Sequence, residues 1–77
     1  MPVFEFDDTS ELSGRQQVKA KLLSMAVGET VEFPRTIASR SGKYRESMFT
    51  IMDPLQNVRG GWITKRRTGV CAVTRVD

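Results

Sequence analysis

The sequence predicts a small α+β fold: one domain over residues 1–77, with an antiparallel sheet of three to four strands, two helices and a C-terminal basic β-hairpin. Three observations carry this expectation. Apolar residues alternate with polar ones at VFEF and TVEF, the period of a half-buried strand. Between those stretches they recur at the spacing of one helix face, and near the C-terminus two β-prone runs flank a Thr-Gly turn signal.

The opening alternation puts Val3 with Glu5 on one face and Phe4 with Phe6 on the other, until Asp7, Asp8, Thr9 and Ser10 break the strand. Ser13 and Gln16 have the spacing of a capping box, and Val18, Leu22 and Met25 fall at i, i+4 and i+7. They predict a helix from Gly14 to Ser24 that leaves Arg15, Lys19 and Lys21 in water. Gly28 ends that segment. A strand over Glu29–Phe33 follows, with Val31 and Phe33 inward and Glu32 outward, stopped by Pro34, which has no backbone donor.

Tyr44, Met48, Ile51 and Met52 again share helical spacing and predict a second helix over Gly42–Met52, capped by Ser41. Asp53-Pro54 either stops it or opens a short helical turn to Arg59. Gly60-Gly61 gives the backbone freedom to enter a hairpin of strands Trp62–Arg66 and Val70–Val76. Two registers compete. A two-residue turn at Thr68-Gly69 sets Lys65 opposite Ala72, whereas a three-residue loop over Arg67–Gly69 groups Ile63 with Val73; apolar burial favours the second. A helix followed by a basic hairpin also resembles, in topology, the helix-and-wing end of winged-helix proteins.

Composition narrows the function. At 39% hydrophobic and 27% charged residues the chain is apolar enough to fold. A chain of this length buries only about 60% of its unfolded surface, which invites a partner or a homodimer. A single cysteine and no histidine exclude an internal disulfide, the common zinc-ligand sets and any His-based catalytic dyad. Cys71 is expected as a buried strand residue, and no glycine pattern for nucleotide phosphates is present. No enzyme activity, cofactor or metal is expected. No apolar run reaches the roughly 18 residues of a membrane span, and the acidic start (Glu5, Asp7, Asp8) is unlike a signal peptide, so the expected location is the cytoplasm.

Charge is unevenly placed. Residues 1–34 carry three Lys/Arg and six Asp/Glu, a balance of −3, whereas residues 35–77 carry nine and three, a balance of +6. The basic half points to a polyanion such as nucleic acid. Its candidate phosphate contacts are Arg35, Arg40, Lys43 and Arg45 around the second helix and Arg59, Lys65, Arg66, Arg67 and Arg75 around the hairpin. Tyr44 and Trp62 adjoin these cations and are candidate stacking platforms, which leans the expectation toward single-stranded DNA. Ser39, Ser41 and Gly42 could let a helix N-terminus approach a phosphate. The competing explanation for the cations is a solvated face whose Lys and Arg block edge-to-edge aggregation. A competing function is a module that docks on a host enzyme or RNA polymerase through the hairpin edge or a Met48/Met52 face.

Val27, Gly28, Glu29, Phe33 and Pro34, then Ile63, Thr64 and Arg66, then Val73, Arg75 and Val76 carry a further signal. This pattern of a VGE…F-P strand, a polar helix and a basic hairpin resembles a group of small, mostly uncharacterised proteins of tailed bacteriophages, over about fifty residues. The chain departs from that pattern in the segment from Asp53-Pro54 to Gly61 and in having Thr74 where an aromatic residue is usual. The resemblance implies a phage-encoded cytoplasmic protein acting on nucleic acid in transcription or replication.

Overall fold

A computed structural model describes residues 3–7, 9–38 and 43–77. The order of elements is α1 (Gly14–Ser24), β1 (Thr30–Pro34), β2 (Thr36–Ala38), β3 (Arg45–Ser47), α2 (Met48–Val58), β4 (Trp62–Arg67) and β5 (Val70–Arg75). They form a small α+β domain with a three-stranded antiparallel sheet in the order β1-β5-β4 and a separate two-stranded β2-β3 sheet.

α1 has the predicted bounds because its capping box forms: Ser13 Oγ accepts from Gln16 N at 3.2 Å and Gln16 Oε1 accepts from Ser13 N at 3.0 Å. Two of the amides that lack an intrahelical partner are thereby satisfied. Val18, Leu22 and Met25 are buried as the spacing requires. β1 buries Val31 and Phe33 and ends at Pro34, also as expected.

The opening segment is shorter than a strand. Val3 forms a single parallel bridge to Glu32, and Phe4 N donates to Glu32 O at 2.8 Å. Phe4 nevertheless stacks on Phe33 (5.1 Å between centroids) and meets Phe6 edge-on (5.0 Å), so the i, i+2 pairing of the two rings holds. Gln17 of α1 ties this strap down, accepting from Asp7 N and donating to Asp7 O.

The second helix is displaced from its expected place. It runs from Met48 to Val58 with Ser47, not Ser41, as N-cap; Ser47 Oγ accepts from Phe49 N at 3.2 Å. Arg45–Ser47, expected to be helical, instead pair antiparallel with Thr36–Ala38. Met48, Ile51 and Met52 do form one buried face, but Tyr44, 72% exposed, merely shared their spacing. Pro54 does not stop the helix: it sits inside α2, where only its own missing amide bond to Thr50 is lost. The expected phosphate-binding helix start at Ser39, Ser41 and Gly42 lies outside the described residues.

The hairpin takes the two-residue turn that burial arguments disfavoured. Lys65 pairs with Ala72 and Thr64 with Val73, and Gly69 supplies the left-handed backbone (φ +73°) that the turn needs. The reason is Trp62: this register turns its indole, 4% exposed, to the core side and leaves Ile63, 58% exposed, outside. Burying the larger ring removes more apolar area from water. Nor is the hairpin a free wing, because β1 pairs along β5 from Thr30 to Pro34 and Arg35 N reaches Gly69 O at the turn. One core results, in which Val18, Leu22 and Met25 meet Met48, Ile51 and Met52 and the inward side of the sheet at Val31, Phe33, Cys71 and Val73.

Candidate nucleic-acid interface

Strand alternation decides where the hairpin cations go. Cys71, Val73 and Arg75 face the core, so their partners Arg66, Thr64 and Trp62 lie on the helix side of the sheet. Ile63, Lys65 and Arg67 project from the opposite, outer side. Every residue of β4 after Trp62 is exposed.

On the outer side Arg67 Nη1 lies 3.7 Å from Glu32 Oε1, reaching diagonally across β5 to β1. Thr30 and Thr74 join hydroxyls across the same face at 2.7 Å. On the helix side the Arg66 guanidinium covers the Phe49 ring at 4.6 Å. Arg35, exposed and hydrogen-bonded to the hairpin turn, stands near it: both positive charges pull the Cys71 thiol pKa down, although burial, the larger effect, leaves it raised. Among the described residues neither Lys65 nor Arg66 pairs with a carboxylate.

The edge of β4 is itself open. Gly61 O accepts from Val76 N at 2.8 Å, which sets the ladder so that Ile63, Lys65 and Arg67 bond toward β5 while Trp62, Thr64 and Arg66 turn their peptide groups outward. Gln56 Nε2 donates to Trp62 O at 2.8 Å. Among the described residues, Thr64 and Arg66 are left as the open part of that edge.

Two expected contacts are corrected. Trp62 and Arg75 are buried structural residues, not groups facing a ligand. The last carbonyls of a helix have no intrahelical donor, and at the end of α1 these two side chains supply donors: Trp62 Nε1 to Leu22 O at 3.3 Å, and Arg75 Nη1 to Leu23 O at 3.3 Å and Met25 O at 2.9 Å. Arg75 Nε also reaches Asp77 O at 3.1 Å. The Trp62 ring is flanked by Arg75 at 5.6 Å and by Arg59 at 5.5 Å. Sequence reasoning missed this capping role because the partners are main-chain atoms 40 to 52 residues away, with no side-chain signature.

The remaining candidates stand on other elements. Arg59 sits beside Trp62 at the end of the hairpin remote from the turn. Lys43, Tyr44 and Arg45 are exposed on the approach to β3, where Tyr44 and Arg45 share a shallow recess with Ile37 and Glu46. Glu46 pairs with Arg15 of α1 at 3.6 Å. Arg40 lies outside the described residues. Around the hairpin turn and the β4 edge the structure brings together Arg35, Lys65, Arg66 and Arg67, while Arg45 stands on the separate β2-β3 sheet. With Trp62 buried and Phe49 under Arg66, the stacking argument for single strands rests on Tyr44 alone.

No protein-family model, curated protein or solved structure matches this chain. Among the described residues no helix is long and apolar enough to cross a membrane.

Proposed function

We propose that this chain is a non-enzymatic DNA-binding protein that grips the phosphate backbone with the tip of its C-terminal hairpin. One observation carries the reading: Lys65, Arg66 and Arg67 are consecutive on an exposed edge strand with Arg35 at its turn, and three of the four, Arg35, Lys65 and Arg66, are exposed without a carboxylate partner among the described residues. Lys and Arg held in that way neutralise phosphates and release condensed counterions. The resemblance to tailed-phage proteins supports placing this activity in the host cytoplasm, in transcription or replication.

The test is fluorescence anisotropy with labelled DNA, comparing the wild-type chain with a Lys65→Gln/Arg66→Gln/Arg67→Gln variant. All three side chains are exposed, so the variant should fold. The reading requires its affinity to fall at least about tenfold at low salt. Equal affinity in a variant with unchanged circular dichroism refutes it.

A second reading, docking on RNA polymerase or another host enzyme, is favoured by the open peptide groups of Thr64 and Arg66, which could accept an added strand. It does not extend to the Met48/Met52 face, since both side chains are buried. A homodimer through the same edge would set like charges against each other.

A further inference from the structure

The outer side of the β1-β5-β4 sheet has a composition that phosphate binding alone does not explain. Among the described residues no helix covers it; both helices pack on the inward side with Val31, Phe33, Cys71 and Val73. It carries donors on β4 (Lys65, Arg67), a carboxylate on β1 (Glu32), and paired hydroxyls on β1 and β5 (Thr30, Thr74). Glu32 stands on the edge strand β1 beside Arg67; a carboxylate there repels phosphates, but it accepts from the amino group of cytosine. Arg67, held at 3.7 Å from Glu32, is positioned as a forked donor for guanine.

No aromatic ring lies on this side. Phe33 and Trp62 are buried, Phe4 and Phe6 pack toward Phe33, Phe49 lies under Arg66, and Tyr44 precedes β3. Bases of a single strand would find nothing to stack on, whereas a duplex offers base edges and needs no platform. Shape agrees in part of the sheet: the β4-β5 hairpin is a two-stranded ribbon, which the major groove, about 12 Å wide, admits, with β1 at its flank.

We propose, resting on the DNA-binding reading above, that this outer sheet face enters the major groove of duplex DNA and reads base edges through Arg67, Lys65 and Glu32. Arg66 and Arg35, on the helix side of the same hairpin tip, hold the flanking backbone. The protein is thus a sequence-selective duplex binder.

Two measurements on the full chain test this. The first compares a mixed-sequence duplex of about two helical turns with each of its separated strands at about 50 mM salt. The duplex should bind at least about tenfold tighter. The second selects from a randomised duplex pool with the wild type, Glu32→Gln and Arg66→Ala. The wild type should enrich a motif that Glu32→Gln alters and Arg66→Ala retains at lower affinity. Strands that bind as well as the duplex, a pool without enrichment, or an unaltered motif in Glu32→Gln each overturn the sheet-face proposal while leaving DNA binding intact. Binding to neither form overturns both readings.

Discussion

Replacing Arg75 should cost stability at the end of α1 without touching any of the groups proposed to meet DNA. Arg75 is 8% exposed, and its guanidinium donates to Leu23 O, Met25 O and Asp77 O while lying 5.6 Å from the Trp62 ring centre. In Arg75→Met the stem is still filled, but one buried carbonyl (Met25 O) and one part-buried carbonyl (Leu23 O) at the end of α1 lose their donor, at about 1–3 kcal/mol for the buried one when nothing replaces it and less for the other. Loss of the ring contact adds about 0.5–2 kcal/mol, and loss of a cation at a helix C-terminus about 0.3–1 kcal/mol. These terms share one group and do not add fully, so about 3 kcal/mol is expected. A chain of this length has about 4–11 kcal/mol in total, so the variant should remain folded with little reserve. Urea unfolding followed by Trp62 emission is a direct assay, since the protein has one tryptophan and it touches Arg75. A loss below about 0.5 kcal/mol, the range of an ordinary surface substitution, would refute the capping account. So would a selective loss of DNA affinity in the folded variant.

Other outcomes follow from single contacts. Glu29 has its pKa lowered from its ordinary value of 4.5, first by the Ala26 amide and then by Lys21; its stabilisation is therefore full above that ordinary value and lost as pH falls through the lower folded pKa. Acid titration of stability should be shallower below about pH 4.5 in Glu29→Gln than in the wild type. Gly61→Ala should destabilise more than Gly69→Ala in thermal melts: both positions have positive φ, but a Cβ at 61 meets Asp77 O at 3.1 Å and one at 69 meets nothing within 4 Å. Cys71, fully buried with its pKa raised by burial, should react with a thiol reagent only as fast as the protein unfolds.

The parts of the fold that local chemistry controls were legible in the sequence. Ser13, Gln16 and the Val18-Leu22-Met25 spacing define α1, and alternation up to Pro34 defines β1. The second helix misled because two serines, Ser41 and Ser47, precede its apolar face, and because Tyr44 falls in phase with Met48 by coincidence. Asp53-Pro54 looked like a boundary, although a proline inside a packed helix removes only one hydrogen bond when its neighbours bury an apolar face. The hairpin register turned on whether Ile63 or Trp62 is buried, a contest settled by the space between α1 and the sheet. That register in turn separates Lys65 and Arg67 from Arg66, so the site was legible as a set of residues but not as a surface. Glu32, placed correctly as outward, gained its meaning only from the strand order that brings it across from Arg67.

The central claim, that the hairpin cations neutralise DNA phosphates, is tested most directly by the salt dependence of binding. Plotting log K against log salt for the wild type and for the Lys65→Gln/Arg66→Gln/Arg67→Gln variant counts the phosphates these side chains hold. If all three hold phosphates, the slope should become shallower by about 2.7, at about 0.9 per phosphate; if Lys65 and Arg67 reach base edges and only Arg66 holds the backbone, it should become shallower by about 0.9. Parallel lines for the two proteins would contradict the account.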